Sequence, residues 1–138
     1  MIEKEDFYHG AAIVKLFEDN RFISIKKGEQ GFVINDDIFI FLKYRTKARS
    51  PWVFSFDDED IKLLKGNAES FSKIIVVFIC GGDGICAIRG KDLEYLIDNN
   101  PGSISIRRKY NEQYGVSGSV KSLKRKISKR YWPSIAFD

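Results

Sequence analysis

Residues 36–56 constrain the fold most, because they join an uninterrupted apolar segment to a strongly basic one. Ile38 to Leu42 is a run of β-forming apolar residues, which predicts a strand that is buried on both faces. Basic residues then occupy every second position: Lys43, Arg45, Lys47 and Arg49. Because alternate side chains of an extended chain share a face, these four cations are predicted to form a one-sided basic ribbon. After Pro51, the segment from Trp52 to Phe56 is predicted as the return strand.

The chain has enough apolar material for one domain with its own core. It has 138 residues, of which 43% are hydrophobic and 14% aromatic, so we expect residues 1–138 to form a single domain. The longest apolar run, Ile74 to Cys80, is far shorter than a membrane span. The N-terminus shows no secretory signal pattern, and we therefore expect a cytoplasmic protein without a membrane partner.

The first half of the chain is predicted to contain one helix and an antiparallel meander. Asp6 to Asp19 has helical spacing, with an apolar face formed by Phe7, Ala11, Val14 and Phe17. Two short strands, Arg21–Lys27 and Phe32–Ile34, precede the buried strand, and the return strand completes the meander.

A cluster of acidic residues follows the return strand. Asp57 suits a helix N-cap, and Asp60 stands at the third helical position, where a carboxylate is favoured. The ligand spacing and central glycine of a calcium loop are missing, so we predict that Asp57 to Asp60 caps a helix and binds no metal.

Glycines surround the next turn, between two apolar segments. Asp83-Gly84 between Ile74–Cys80 and Ile85–Arg89 predicts a β-hairpin, because the Lys-Ser/Thr pair of a phosphate-binding loop is absent. A disulfide between Cys80 and Cys86 is geometrically conceivable, but buried free thiols are favoured. His9 has no catalytic partner at a telling spacing, and one histidine with two cysteines does not supply four zinc ligands, so we expect no cofactor.

The last fifty residues are predicted to form a helix, short strands and a final helix. The segments are Gly90–Asn100 (helix), Ser103–Tyr110 and Tyr114–Val116 (strands) and Val120–Arg130 (helix). The aromatic tail at Tyr131 and Trp132 is expected to pack back on the body. The element order predicts an α+β fold, a single layered domain with helices against a mostly antiparallel or mixed sheet.

Charge is distributed unevenly along the chain. Residues 101–138, the basic C-terminal section, contain nine Lys and Arg against Glu112 and Asp138, whereas residues 1–100 contain 14 against 17 acidic residues. This asymmetry is typical of a surface that faces a polyanion, and equally of a solvated basic surface without a partner.

The order of elements over residues 5–80 resembles the core of restriction-endonuclease-like nucleases, the PD-(D/E)XK group. That resemblance implies an acidic residue and an acid-x-Lys pair converging on a divalent metal, for which Glu18, Asp36, Asp37 and Lys43 are the candidates. Phe41 stands where the paired acid should be. Asp37 and Lys43 would lie ~20 Å apart on one strand, so the resemblance implies a degenerate or absent active site. The segments YHG, KYRTK, SPWVF, DGI and YGVSGS also resemble small uncharacterised prokaryotic proteins.

Three functions remain open from the sequence. The first is a non-enzymatic nucleic-acid-binding protein whose contacts are Lys43, Arg45, Lys47, Arg49, Trp52, Arg107, Arg108, Lys109, Lys124 and Arg125. The second is an immunity or accessory protein that binds a protein partner through exposed aromatic and arginine side chains. The third is a magnesium-dependent nuclease.

Overall fold

The apolar run from Ile38 to Leu42 lies in the central strand of a five-stranded sheet in the computed structural model, which describes all 138 residues. The helices are α1 (Lys4–Leu16), α2 (Asp58–Ser70) and α3 (Gly90–Ile97). The strands are β1 (Ile25–Gly28), β2 (Gly31–Ile34), β3 (Ile38–Arg45), β4 (Trp52–Phe56), β5 (Lys73–Cys80), β6 (Gly84–Arg89), β7 (Gly102–Arg107) and β8 (Gly115–Gly118). Two short 3₁₀ turns, Lys129–Tyr131 and Ser134–Ala136, end the chain. The predicted α+β class is confirmed.

The five-stranded sheet has the order β1-β2-β3-β5-β6 and is mixed. β1, β2 and β3 form the predicted antiparallel meander, and β5 and β6 form the predicted hairpin. β3 and β5 pair in parallel, which requires a crossover connection, and α2 lies within that connection. Apolar cores on both faces of the sheet explain the continuous apolar run of β3.

The return strand does not join the meander, contrary to the prediction. β4 pairs with β7 in a second sheet of order β4-β7-β8, with Trp52 opposite Ile106. The physical reason is competition for an edge: β5 occupies the free edge of β3 along its whole length, from Ile38 to Arg45. The alternation of buried and exposed residues in β4 fits a sheet with only one covered face.

Two apolar cores lie on opposite faces of the five-stranded sheet. One contains Phe39 and Phe41 of β3 and joins this sheet to the second sheet and to α2 and α3. The other contains Ile38, Ile40 and Leu42 and lies beneath α1 and the C-terminal residues. Trp132 belongs to this second core, and its indole N–H donates to the carbonyl of Ala12 at 3.0 Å, as expected for a tail that packs back.

The apolar face predicted for the first helix lies outward. α1 buries Ala12 and Leu16 against the sheet, and the ring of Tyr8 stacks on Tyr44 of β3 with centroids 4.9 Å apart. Phe7 and Val14 are exposed by 64% and 63%. The helix is apolar on both faces, so its hydrophobic pattern alone does not identify the face that packs.

The predicted final helix, Val120–Arg130, is wrong. Residues 121–127 instead fold back along β8 and pair with it through backbone hydrogen bonds, including Leu123 N to Val116 O at 2.9 Å. Tyr114 and Ile127 exchange two such bonds at 2.8 Å. The apolar side chains of Leu123 and Ile127, whose spacing indicated a helix, reach the core from this irregular extended chain.

The remaining predicted elements are present, although α1 ends at Leu16 rather than Asp19 and β1 begins at Ile25 rather than Arg21. α2 is capped as predicted: Asp57 accepts from the amide of Asp60 at 2.9 Å, and Asp60 accepts from the amide of Asp57 at 3.1 Å. α3 buries Leu93, Leu96 and Ile97 as predicted. No helix in the protein has the length and apolarity needed to cross a membrane.

Candidate nucleic-acid interface

The structure divides the predicted basic ribbon into two parts. Lys43 and Arg45 are hydrogen-bonded within the protein, whereas Lys47 and Arg49 are exposed. β3 ends at Arg45, so the alternation on which the shared face depends does not continue to Lys47 and Arg49. Lys43 donates to the Asp60 carboxylate at 3.0 Å, and the Arg45 Nε donates to the carbonyl of Val53 at 2.5 Å. The prediction of four cations on one extended face is therefore wrong.

Lys47 and Arg49 lie exposed in a loop that is fastened to the body. The Trp52 indole donates to the carbonyl of Lys47 at 2.8 Å, and Gly81 donates its amide to the carbonyl of Arg45 at 2.8 Å. Gly81 has a φ of +55°, and a Cβ there would overlap the carbonyl of Lys47. A glycine at this position therefore lets the loop sit against the end of β5.

The pairing of β4 with β7 brings this loop to the basic residues that follow β7. The hydroxyl of Ser50 donates to the carbonyl of Arg108 at 3.3 Å. We call the resulting surface the basic rim, and its exposed members are Lys47, Arg49, Arg107, Lys109 and Tyr110. Tyr110 is 88% exposed, so its ring is accessible to a stacking base.

Trp52 does not belong to this surface, contrary to the prediction. It is 2% exposed and packs edge-on to the ring of Tyr114, with centroids 6.1 Å apart. Its indole N–H is already bonded to Lys47. Trp52 therefore supports the basic rim from beneath and cannot stack on a base.

A second basic surface surrounds a cleft of about 750 Å³ between α3 and the chain segment that folds back along β8. We call it the basic cleft, and its polar lining is formed by Arg89, Asp92, Tyr95, Gln113, Lys124, Arg125, Lys126, Ser128 and Tyr131. Lys124 and Arg125 were predicted from the sequence as binding residues. The backbone pairing of Ile127 with Tyr114 closes this segment over the cleft.

The cations of the basic cleft differ in how far they are neutralised. Lys126 donates to Glu112 at 2.9 Å. Arg89 donates to the hydroxyl of Tyr131 at 2.8 Å, a neutral partner that leaves its charge uncompensated. Lys124 and Arg125 are exposed and form no salt bridge. The cleft therefore carries a net positive charge that attracts anionic groups.

Arg108, also predicted as a binding residue, is committed to an internal ion pair. Its Nε and Nη2 donate to the Asp83 carboxylate at 2.8 and 2.5 Å. The hydroxyl of Tyr114 donates to the same carboxylate at 2.7 Å, and the Lys129 ammonium lies 3.5 Å from it. We call these four residues the Asp83 clasp.

The hydrogen bonds of the clasp hold the pKa of Asp83 at about 2. Those from Arg108 contribute most, and the one from Tyr114 acts in the same direction against the opposing effect of burial. Burial and the bond to Asp83 raise the pKa of the Tyr114 hydroxyl. The clasp is therefore a persistent ion pair that joins the β5–β6 turn to the basic C-terminal section.

The nuclease candidates do not converge on one place. Asp36 pairs with Lys26 at 2.7 Å, and Asp37 accepts from the hydroxyl of Ser72 at 2.5 Å. Glu18 is exposed beyond the end of α1. No three acidic, histidine or cysteine side chains lie close enough to hold a metal ion.

Lys43 forms an ion pair with Asp60, which is not one of the acidic residues predicted as nuclease candidates. Its partner Asp60 lies in a cleft of about 520 Å³ whose lining also includes Glu5 and His9 of α1. Burial lowers the pKa of His9, although Glu5 and Asp6 oppose this effect. One oxygen of Asp60, Oδ2, accepts both the helix-cap bond and the bond from Lys43, which favours a structural role for this pair.

The cysteines are free and buried, as favoured from the sequence. Cys86 lies opposite Phe78 in the hairpin and Cys80 lies opposite Gly84, so the two thiols do not face each other across a ladder pair. Burial raises the pKa of both thiols. Neither thiol is suited to nucleophilic or metal-binding chemistry at neutral pH.

Arg89 and Tyr95 are two cleft residues that sequence reasoning did not name as binding residues. Tyr95 is 44% exposed, and it lies opposite the inward positions Leu93 and Leu96 on the predicted α3. This outward position on a predicted helix could have identified Tyr95 as an exposed aromatic residue from the sequence. Arg89 is merely the last residue of a strand, and only the fold brings it beside Tyr131.

Comparison with known proteins returned no matching family model, no matching curated protein and no matching solved structure.

Proposed function

We propose that this protein binds single-stranded nucleic acid without cleaving it, through the basic cleft and the neighbouring basic rim. The observation that carries the proposal is the concave grouping of Arg89, Lys124 and Arg125, none of which has a carboxylate partner, around two tyrosine rings. Cations of this kind neutralise phosphates, and aromatic faces stack on bases.

A single strand fits these surfaces better than a duplex. The tyrosines Tyr95 and Tyr131 line a recess, and only an unpaired base can turn out of its strand to reach a ring placed in this way. Tyr110 on the basic rim offers a third ring. The segment from Arg107 to Gln113 connects the two surfaces, because it begins in the basic rim and ends in the cleft lining.

The test is fluorescence anisotropy with labelled single-stranded DNA, single-stranded RNA and duplex DNA over a series of salt concentrations. We expect tighter binding of the single strands, with an affinity that falls as salt rises. Lys124→Ala/Arg125→Ala should weaken binding and flatten the plot of log affinity against log salt by ~1.4 units, at ~0.7 per contact on single strands.

The matched control is Lys26→Ala/Lys27→Ala. It removes the same charge from β1, at the opposite edge of the five-stranded sheet from β6 and Arg89. Equal weakening by the two double variants would attribute binding to net charge alone. Absence of binding to every probe at low salt would refute the proposal.

A protein partner is the second candidate function. It is favoured by the exposed apolar side chains on and around α1, including Phe7, Val14 and Phe17. Binding to an immobilised partner that is lost on Phe7→Glu but retained on Lys124→Ala/Arg125→Ala would favour it over the nucleic-acid proposal.

A degenerate restriction-endonuclease-like nuclease is the third candidate. This candidate rests on the resemblance seen in the sequence, with Lys43 as its lysine on β3, although β4 lies between β3 and α2. The carboxylates are not gathered for a metal. Cleavage of any labelled probe on addition of Mg²⁺, lost on Lys43→Met, would favour this candidate.

A further inference from the structure

The exposed large apolar side chains are concentrated at one end of the chain. Six of the ten lie within residues 1–23: Met1, Ile2, Phe7, Val14, Phe17 and Ile23. Their exposed fractions range from 63% upward. Clustered exposed apolar side chains usually mark an interaction site, and those on α1 can be placed relative to one another by the helix geometry.

Two of these side chains, Phe7 and Val14, lie on one face of α1, and a third, Phe17, is the residue that caps its C-terminus. Lys4, Phe7, Ala11, Val14 and Glu18 follow one another at alternating spacings of three and four, and all are exposed. This spacing places the side chains of Lys4, Phe7, Ala11 and Val14 in one line along the helix, as in the contact seam of a two-stranded coiled coil, and Glu18 follows in the turn just after the C-cap residue Phe17. We call this line the α1 seam, and Phe17 lies beside it.

None of residues 1–138 covers the α1 seam. The opposite side of the helix is already fixed, because Ala12 and Leu16 are buried at 0% exposure and Trp132 donates to the carbonyl of Ala12. Rotation of α1 would break this contact and the stacking of Tyr8 on Tyr44. The seam therefore stays exposed in this arrangement and is free to contact another molecule.

The charges at the two ends of the seam are self-complementary. Lys4 and Glu18 lie at equal distances along the chain on either side of Ala11. If two copies cross antiparallel at Ala11, Lys4 of each copy meets Glu18 of the other. Parallel packing would instead place Lys4 against Lys4 and Glu18 against Glu18, which is unfavourable.

We propose that the α1 seam is a homodimer interface in which two α1 helices pack antiparallel with Ala11 at the two-fold axis. Small residues at the crossing point permit close approach: a Cβ on Gly10 would meet nothing within 4 Å, and Ala11 is exposed. The interface is isologous, the commonest arrangement in soluble homo-oligomers.

The large apolar residues of the α1 seam supply part of a dimer interface. At about 200 Å² for a fully exposed large apolar residue, Phe7, Val14 and the adjacent Phe17 together present on the order of 400 Å², and the remaining area must come from the polar side chains around them. A standard interface buries roughly 800 Å² on each partner. The dimer interface is separate from the basic cleft, which is lined by none of these residues.

Sedimentation velocity over a range of protein concentrations tests the proposal. We expect the wild type to be a dimer at tens of micromolar, and Phe7→Glu and Val14→Glu to raise the dissociation constant at least tenfold. The matched control is Val120→Glu, which places the same charge on an equally exposed valine outside the seam, 54% exposed. It should dimerise like the wild type. Circular dichroism spectra and melting curves establish that each variant is folded.

Charge reversal tests the orientation. Lys4→Glu and Glu18→Lys should each weaken the dimer, whereas the combined variant Lys4→Glu/Glu18→Lys should restore it. In oxidising buffer, a mixture of Lys4→Cys and Glu18→Cys proteins should give a crosslinked dimer, whereas Lys4→Cys alone should not.

Three results would overturn the proposal. The first is a wild type that stays monomeric at a few hundred micromolar. The second is a dimer that Val120→Glu weakens as much as Phe7→Glu does. The third is a crosslink formed by Lys4→Cys alone, because it would show parallel packing.

Discussion

Arg108 donates two hydrogen bonds to Asp83, from Nε at 2.8 Å and from Nη2 at 2.5 Å, across a separation of 25 residues. The pair joins the end of β7 to the turn between β5 and β6, and so links the two sheets at one edge. Tyr114 adds a third bond to the same carboxylate at 2.7 Å, although its ring is otherwise buried beside Trp52. The Asp83 clasp therefore holds the basic C-terminal section against the main sheet.

Replacing Asp83 by Asn should lower the free energy of unfolding in a pH-dependent way. The folded pKa of about 2 lies below the ordinary value for Asp, so the carboxylate stabilises the fold above about pH 4 and loses this effect as pH falls toward 2. We expect a loss of about 1–2 kcal/mol at pH 7 after allowing for solvent screening. Urea unfolding at pH 7 and pH 2.5 measures it. A difference between wild type and variant that is the same at both pH values would contradict the assignment.

Replacement of Arg108 by Ala should reduce stability, whereas replacement of Arg125 by Ala should reduce nucleic-acid binding. Arg108→Ala leaves the partly buried Asp83 without its main partner and should lower the free energy of unfolding. Arg125 forms no such bond, so Arg125→Ala should leave stability within about 0.5 kcal/mol and weaken nucleic-acid binding. Urea unfolding and anisotropy on the same samples separate the two effects. Loss of affinity in a stable Arg108→Ala protein would place Arg108 in the interface instead.

The sequence was sufficient to predict elements whose signals are local. The apolar runs of β3 and β5, the Asp83-Gly84 turn and the Asp57 cap each depend on residues close together in the chain, and each is present. Neighbouring-residue preferences determine these features regardless of the rest of the fold.

The wrong predictions concern segments that could have packed or paired in two ways. β4 was free to pair with β3 or with β7, and the parallel pairing of β5 with β3 decided the outcome. α1 is apolar on two faces, and contact with Trp132 from the other end of the chain selects the buried one. The basic cleft depends on the same kind of long-range pairing, because Arg89 and Tyr131 meet only after the C-terminal segment folds back.

The capping box of α2 gives a graded prediction for two aspartates. Asp57→Ala should lower the free energy of unfolding by ~1 kcal/mol, since it removes one cap bond. Asp60→Ala should lower it more, because Lys43 would keep a largely buried ammonium without its partner. Asp58→Ala, in the exposed first turn, is the matched control and should change stability by less than ~0.5 kcal/mol. A rise in wild-type melting temperature with Ca²⁺ or Mg²⁺ that Asp57→Ala abolishes would show a metal site.

The thiols of the two cysteines should be unreactive in the folded protein. Both thiols are buried and burial raises both pKa values, so a thiol reagent should react at neutral pH only as fast as the protein unfolds. Cys80→Ala/Cys86→Ala should keep nucleic-acid binding and lose about 1–3 kcal/mol of stability. Rapid labelling of the native protein would refute the prediction.

The glycine turn should bind no nucleotide, and an ATP or GTP affinity that Gly82→Val abolishes would contradict this.

Lys47 and Arg49 provide the test of the basic rim. Both are exposed in the loop held by Trp52, and the β4–β7 pairing sets them beside the residues that follow β7. If each contacts one phosphate, Lys47→Ala/Arg49→Ala should weaken binding equally for all sequences. It should also flatten the salt dependence by ~2 log–log units on a duplex and ~1.4 on a single strand.

The fold of this double variant should survive, because neither side chain makes an internal bond and surface changes usually stay within ~0.5 kcal/mol. Its matched control is again Lys26→Ala/Lys27→Ala on β1. The alternative is that these cations only prevent edge-to-edge pairing of exposed strands. In that case the variant would keep the affinity and salt dependence of the wild type and would aggregate more readily, and the basic cleft alone would remain as the binding surface.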